Sequence, residues 1–368
     1  MLLAAALVLP VLACSGSPPA SPRSADPQPR PSSSGIIGTP LVSPVPTDGS
    51  AFFVSPTGSD EAPGTSDAPW QTLTHALVQL APGQTLLVRG GTYREQIRDI
   101  RIRPGEPTAP VVVRAAPGER PLVKGLLYLV RPSYWLIDGI NVTWDDERNE
   151  SDNHMVKLID GVGWTWQNSE LWGAASLSNI LIVGDRQGEP ADWTLRNNCI
   201  HDTIPTNDDS EDSNVYIGDM RRAGPGLVER NLIFRAANGR NIKLGAGSSE
   251  PDDGPTGVTV RYNTLYSAIV PIVVAGGARD IVIEHNVLGG GSSGYLIRGY
   301  KLVGPNVQAR DNLGFDAEAF VAPDSGTLDA GAGNRLLPRS PLRSTTDCDA
   351  FALSSPLSAE YGHRAQGP

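Results

Sequence analysis

Cysteine and histidine are scarce in this chain, with three Cys and five His in 368 residues. No C-x-x-C pair occurs and the histidines are scattered, so no spacing in the sequence suggests zinc. A basic excess is also missing. The formal charge is −10 and none of it falls in residues 1–13, so the surface beyond them repels nucleic acid and anionic lipid unless a local basic patch or a bound cation intervenes. The apolar run at residues 2–13 is too short to span a bilayer. What abounds is turn formers. The 40 Gly and 32 Pro accompany 39% hydrophobic residues, so the chain can bury a large core but must change direction often.

The run at 2–13 has signal-segment length and ends in Val11-Leu12-Ala13-Cys14, small residues ahead of a cysteine. It resembles the lipobox of bacterial lipoproteins, which implies cleavage before Cys14 and acylation of its thiol. The resemblance implies an extracytoplasmic protein, lipid-anchored at the cell envelope or secreted, touching membrane only through Cys14. From Ser15 to Ser50 the chain is dominated by Ser, Pro and Gly, too poor in apolar groups to offset the entropy of ordering, and reads as a tether. The expected organisation is a signal segment at 1–14, a tether at 15–50, a folded body at 51–316 and an irregular cap or tail at 317–368. Beyond Cys14, Cys199 and Cys348 either pair in an oxidising compartment or remain two separate thiols.

Between Trp164 and Phe315 the pattern apolar-x-apolar-x-x-Asn-x-apolar recurs. With Ser169, Asn198, Asn231, Asn263, Asn286 and Asn312 taken as equivalent, the residues three before are Trp166, Leu195, Val228, Val260, Ile283 and Ala309. Those two after are Leu171, Ile200, Ile233, Leu265, Leu288 and Gly314. The intervals of 29, 33, 32, 23 and 26 residues suit short strands joined by unequal loops. No coil can bury its inner face alone, so stacking at about 4.8 Å per rung supplies the core. The pattern predicts an all-β fold, a right-handed parallel β-helix or solenoid, expected to be a monomer. Each Asn is expected at the bend between strands, in the left-handed conformation, bonding its equivalent one rung away.

A second strand per coil reads Val156-Lys157-Leu158, Leu181-Ile182-Val183, Val215-Tyr216-Ile217, Ile242-Lys243-Leu244 and Ile272-Val273-Val274. The flanking residues point inward, which leaves an exposed column of Lys157, Ile182, Tyr216, Lys243 and Val273, with Arg298 near its end. Residues Trp70 to Leu80 predict an N-terminal capping α-helix whose Leu73, Ala76, Leu77 and Leu80 face the open end, stopped by Pro82-Gly83.

The runs FVSPTGSD at 53–60, PGT at 63–65, PWQTL at 69–73, PGQTLLVRGGTY at 82–93 and WLIDGINV at 135–142 resemble the opening coils of pectate-lyase-like β-helix proteins. VYIG at 215–218 and NIKLG at 241–245 are similar to later rungs of that superfamily. The resemblance spans about residues 51 to 316. It implies the fold, and for activity it leaves lyases, glycosidases and proteins with no known chemistry in play.

A uronate lyase needs a cation to neutralise the substrate carboxylate and a Lys or Arg base to take the proton α to it. Lys243 is the candidate base, one rung from Tyr216, and Lys157 reaches a neighbouring sugar. Arg221, Arg222 and Arg298 are candidate substrate ligands. Asp208, Asp209 and Asp212 lead into the Tyr216 strand, and Asp185 and Asp219 follow equivalent strands, which makes these five the candidate calcium ligands. Calcium-dependent β-helix pectate lyases resemble this in pairing an Asp cluster with a downstream Lys. Each feature also has a plainer reading, a solvated Lys and an acidic turn. Trp164 and Trp193 fall at core positions, whereas Trp144 and Trp172 are either sugar platforms or rim packing. The expected function is a calcium-assisted lyase of an acidic polysaccharide. The alternatives are a non-catalytic glycan-binding or envelope scaffold and a β-helix glycoside hydrolase, the latter without a Gly-His-Gly run in this chain.

Overall fold

A computed structural model describes residues 51–150, 153–184, 190–204, 212–218, 223–247, 254–344, 348, 352–353 and 361–362. The signal segment with Cys14, the tether at 15–50, and Asp185, Asp208, Asp209, Asp219, Arg221 and Arg222 lie outside the described residues.

Successive coils stack as a right-handed parallel β-helix of three faces. The first face is an eleven-stranded parallel sheet running from Ala51–Val54 to Leu328–Ala330. The second and third faces form one fifteen-stranded sheet, because long strands such as Leu232–Leu244 and Thr264–Ala275 bend from one face into the next. On the first face Trp166, Leu195, Val228, Val260, Ile283 and Ala309 stand in register. On the second, Val142, Leu171, Ile200, Ile233, Leu265, Leu288 and Gly314 do the same. These aliphatics form one continuous core cluster. Each fully buried Leu, Ile or Val stabilises by roughly 1.5–3 kcal/mol, and only the neighbouring rung provides the burial.

The asparagines form a ladder at the corner between the first and second faces. The Asn198 backbone N–H donates to Asn231 Oδ1 at 2.9 Å, and the contact repeats from Asn231 to Asn263, Asn263 to Asn286 and Asn286 to Asn312. The left-handed conformation expected at the ladder Asn falls elsewhere. The left-handed residue is not the ladder Asn but the one before it, Asn197, Arg230, Tyr262, His285 and Asp311, with φ of 53° to 55°. That residue reverses the chain, so the next side chain enters the corner, where an amide that both donates and accepts can satisfy the buried backbone.

A second ladder, Asn179–Asn214–Asn241, opens the third face, with amide-to-amide contacts of 2.8 and 3.0 Å. The helix (α1, Leu73–Gln79) is shorter than the Trp70–Leu80 span expected. Asp60 Oδ1 accepts from the N–H groups of Gln71 and Thr72, and the Thr72 hydroxyl caps His75 N–H, so helical turns start only at Leu73. Leu73, Ala76, Leu77 and Leu80 are buried against the core, as their spacing predicts.

The solenoid also runs one coil past residue 316. Ala319–Val321, Leu328–Ala330 and Arg335–Leu336 pair with the preceding rungs, and Asn334 extends the ladder. One extra residue between Ala330 and Asn334 hides this coil from the repeat. Beyond it, Leu337, Leu342 and Tyr361 pack on the outer side of the second face, and Cys348 is disulfide-bonded to Cys199.

Candidate functional site

Along the third face the outward column is Tyr128, Lys157, Leu181, Tyr216, Lys243, Val273 and Arg298, each in register with the next. Lys157, Tyr216, Lys243 and Arg298 share this column as expected, but Ile182 does not. Ile180 and Ile182 point inward and Leu181 takes the outward place, because the triplet follows Asn179 as Val215 follows Asn214 and Ile242 follows Asn241. Nor is the column open throughout. Lys243 is only 8% exposed, and Leu181 and Val273 are buried. Alternation along a strand fixes the side a residue faces, not what else packs there.

Lys243 Nζ stands 4.5 Å from the centroid of the Tyr216 ring. At the other end Lys157 Nζ lies 5.4 Å from the Tyr128 ring. His154 lies within electrostatic reach of both amines, its Nδ1 at 2.7 Å from Ser178 Oγ and its ring centroid 6.2 Å from that of Tyr216. Burial, and then the charges of Lys157 and Lys243, push the His154 imidazole down to about 3, so it is neutral near pH 7. The Tyr128 hydroxyl donates to the His154 carbonyl at 2.7 Å and fixes this segment. Arg298, two rungs beyond Lys243, pairs with Asp324 at 3.5 Å.

Asp212 is the described member of the acidic set. It is almost fully buried at the foot of the Tyr216 strand, and its Oδ2 accepts from the Thr203 hydroxyl at 2.5 Å. Its carbonyl accepts from Arg240 N–H at 3.0 Å, and Gly239 is required beside it, since a Cβ there would lie 1.8 Å from the same oxygen.

A second cluster, not anticipated from the sequence, lies outward on the second face. Trp172, His201, Phe234 and Tyr266 stack rung upon rung, with centroid separations of 6.2, 4.9 and 5.0 Å. His201 Nδ1 is 2.7 Å from Asp202 Oδ2 and its Nε2 is 3.1 Å from Glu170 Oε1. Burial opposes its protonation, but the two carboxylates outweigh burial and hold the imidazole above its usual range. Arg235 and Arg120 pair with Asp202 and Glu170 in turn. Trp172 therefore belongs to this stack and not to the Lys243 column, while Trp144, Trp164 and Trp193 are buried. The one legible signal was an aromatic or imidazole ring three residues after each of Ser169, Asn198, Asn231 and Asn263.

Residues 52–169 match the family model described as Pel9A-like, right handed beta helix region. Pectate lyase PEL9 of Emericella nidulans is 32% identical over 120 residues, which is 33% of this chain and 27% of that relative. The match thus spans about a quarter of the curated relative. The crystal structure of pectate lyase Pel9A superposes with a TM-score of 0.54 at 16% identity, covering 83% of this chain and 89% of that one. A glycoside hydrolase does so with a TM-score of 0.52 at 10% identity, covering 86% and 99%. The fold is that of pectate-lyase-like β-helices. The matched family region ends before Tyr216 and Lys243, so the chemistry of those rungs rests on their own geometry.

Proposed function

We propose that this chain is an extracytoplasmic polysaccharide lyase that cleaves acidic, uronate-containing glycans by β-elimination. The observation that carries the reading is the Lys243 amine over Tyr216, in a column that also holds Lys157 and Arg298. A polyuronate lying along the helix axis meets a cation at intervals, with rungs of about 4.8 Å close to the rise of one sugar. Lys243, having first given its own proton to solvent, takes the proton α to the carboxylate, the electron pair forms the C4–C5 double bond, and the glycosidic oxygen leaves from C4 and takes a proton from water. Tyr216 holds the amine in place, and Lys157 and Arg298 bind neighbouring carboxylates. His154, kept neutral, adds no third positive charge to those of Lys157 and Lys243.

Calcium would be held by Asp185, Asp208, Asp209, Asp212 and Asp219. This all-oxygen donor set suits a hard cation, and the buried carboxylate of Asp212 stands beside the Tyr216 strand. When bound, the ion would neutralise the substrate carboxylate and acidify the proton next to it. The Cys199–Cys348 disulfide supports an oxidising compartment, in keeping with export and a lipid anchor at Cys14.

The test is to incubate the purified chain with pectate, alginate and glycosaminoglycans in calcium and follow the ultraviolet absorbance of the unsaturated product. Turnover that Lys243→Ala abolishes is expected. Binding without turnover makes the chain a glycan-binding scaffold, and cleavage without the chromophore makes it a hydrolase; either outcome overturns the lyase reading.

A further inference from the structure

Four metal-binding donors meet on the outer side of the second face. Cys199 and His201, two residues apart on one strand, share that side, and Glu170 is the register partner of Cys199 on the adjacent rung. Cys348 joins them from the C-terminal segment, its Cα 5.9 Å from that of Cys199. Ligand atoms of Cys199, His201 and Cys348 all lie within 4.8 Å of one another. Glu170 Oε1 completes the set, 3.1 Å from His201 Nε2 and 3.5 Å from Cys348 Sγ.

The groups behind these donors are those that orient metal ligands. His201 Nδ1 is held by Asp202, and Asp202 by Arg235 at 2.5 and 2.6 Å, which leaves Nε2 aimed at the cluster. Arg120 holds the other oxygen of Glu170 at 2.6 Å. A carboxylate behind a histidine that points its second nitrogen into a thiol pair is the support a zinc-binding histidine has.

We infer that the dithiol form of this chain binds one zinc-type divalent cation through Cys199, Cys348, His201 and Glu170. The disulfide and the metal are alternative states of one site. Opening the Sγ–Sγ bond takes two electrons and two protons from a small dithiol, which is itself oxidised to a cyclic disulfide. Rotation about the two Cα–Cβ bonds then separates the sulfurs to span a cation with metal–sulfur bonds of about 2.3 Å. The two thiol protons and the proton shared between Nε2 and Glu170 pass to solvent as the bonds to sulfur, nitrogen and oxygen form. The site is independent of the Lys243 column, and of whether that column cleaves glycans.

The test uses the full chain, reduced with excess dithiol and desalted under anaerobic conditions, then titrated with Co2+. The expected result is a thiolate-to-cobalt band in the near ultraviolet, with visible bands of a tetrahedral ion, saturating at one equivalent and bleached by one equivalent of Zn2+. The oxidised chain should give neither band, and His201→Ala should weaken binding at least about 10- to 100-fold. No band in the reduced chain, an equal band in the Cys199→Ser/Cys348→Ser variant, or undiminished affinity in His201→Ala overturns the assignment. Should reduction unfold the chain, one equivalent of Zn2+ must restore its circular dichroism, and failure to do so overturns it as well.

Discussion

Lys243 and Tyr216, register partners on adjacent strands of the third face, meet as an ammonium over an aromatic ring at 4.5 Å. Lys243 is nearly closed to solvent, so this contact works in a low dielectric and contributes about 0.5–2 kcal/mol. A double-mutant cycle with Lys243→Met and Tyr216→Leu, read by urea unfolding, should return a coupling energy in that range. On a cleaved polyuronate, Lys243→Ala should lower kcat about 10²- to 10⁴-fold, the loss expected of a general base. A Lys243→Ala enzyme with unchanged kcat would remove the amine from the chemistry.

His154 predicts how stability falls in acid. Its folded-state value of about 3 lies below the ordinary 6.5, so the unfolded chain takes up the proton first as pH drops. The stability that the neutral imidazole contributes is present above about pH 6.5 and is lost as pH falls toward 3. Unfolding free energies from pH 7 to 4 should therefore fall more steeply in the unaltered chain than in His154→Gln, whose amide can still meet Ser178. Parallel curves would contradict the buried neutral imidazole.

The inward aliphatics and the corner asparagines were legible because a solenoid repeats the same local demand on every rung. Leu171 to Leu288 and Trp166 to Ile283 could be aligned from spacing alone. The framing of Ile180-Leu181-Ile182 was not, since four apolar residues in a row fit two alternations, and only the preceding Asn179 distinguishes them. Burial of Lys243 depends on what covers the column, which no strand periodicity encodes. The Glu170–His201–Cys348 cluster was hidden for another reason. Cys348 is 149 residues from Cys199, and the docking of a C-terminal segment on a distant rung leaves no spacing to read.

That docking can be tested directly. Leu337, Leu342 and Tyr361 cover Phe234, Tyr266 and Phe315, and the disulfide pins the segment between them. Cys199→Ser/Cys348→Ser should lose about 2–5 kcal/mol of stability in the oxidised preparation. Limited proteolysis should then nick the variant within residues 337–362 while the coils resist. Equal resistance of both proteins would show that the apolar contacts hold the segment unaided.

Calcium, if held by the acidic set, must stabilise the folded chain by an amount that grows with the logarithm of its free concentration above Kd. At a free concentration of about 100 Kd the gain is about 2.7 kcal/mol, which appears as a rise in Tm that a chelator reverses. Asp209→Ala should abolish the rise, and Lys243→Ala should keep it, because the base is not a ligand. A Tm indifferent to calcium in the unaltered chain would leave the lyase reading without its cation.

The asparagine ladder should be strongest in its middle. Asn231 Oδ1 accepts from the backbone N–H and side-chain amide of Asn198, and its own amide donates to Leu195 O at 2.9 Å and Asn263 Oδ1 at 3.0 Å. Asn231→Ala strands the Asn198 N–H and the Leu195 carbonyl at a corner with no access to water, and each unsatisfied group costs about 1–3 kcal/mol. The expected loss is about 2–5 kcal/mol, measured as a lower urea midpoint at unchanged slope. Asn312→Ala should cost less, because its next partner, Asn334, belongs to the final, half-buried rung, where water can replace the lost amide. Equal losses at both positions would mean that the amides act as independent turn formers and not as a ladder coupled from rung to rung.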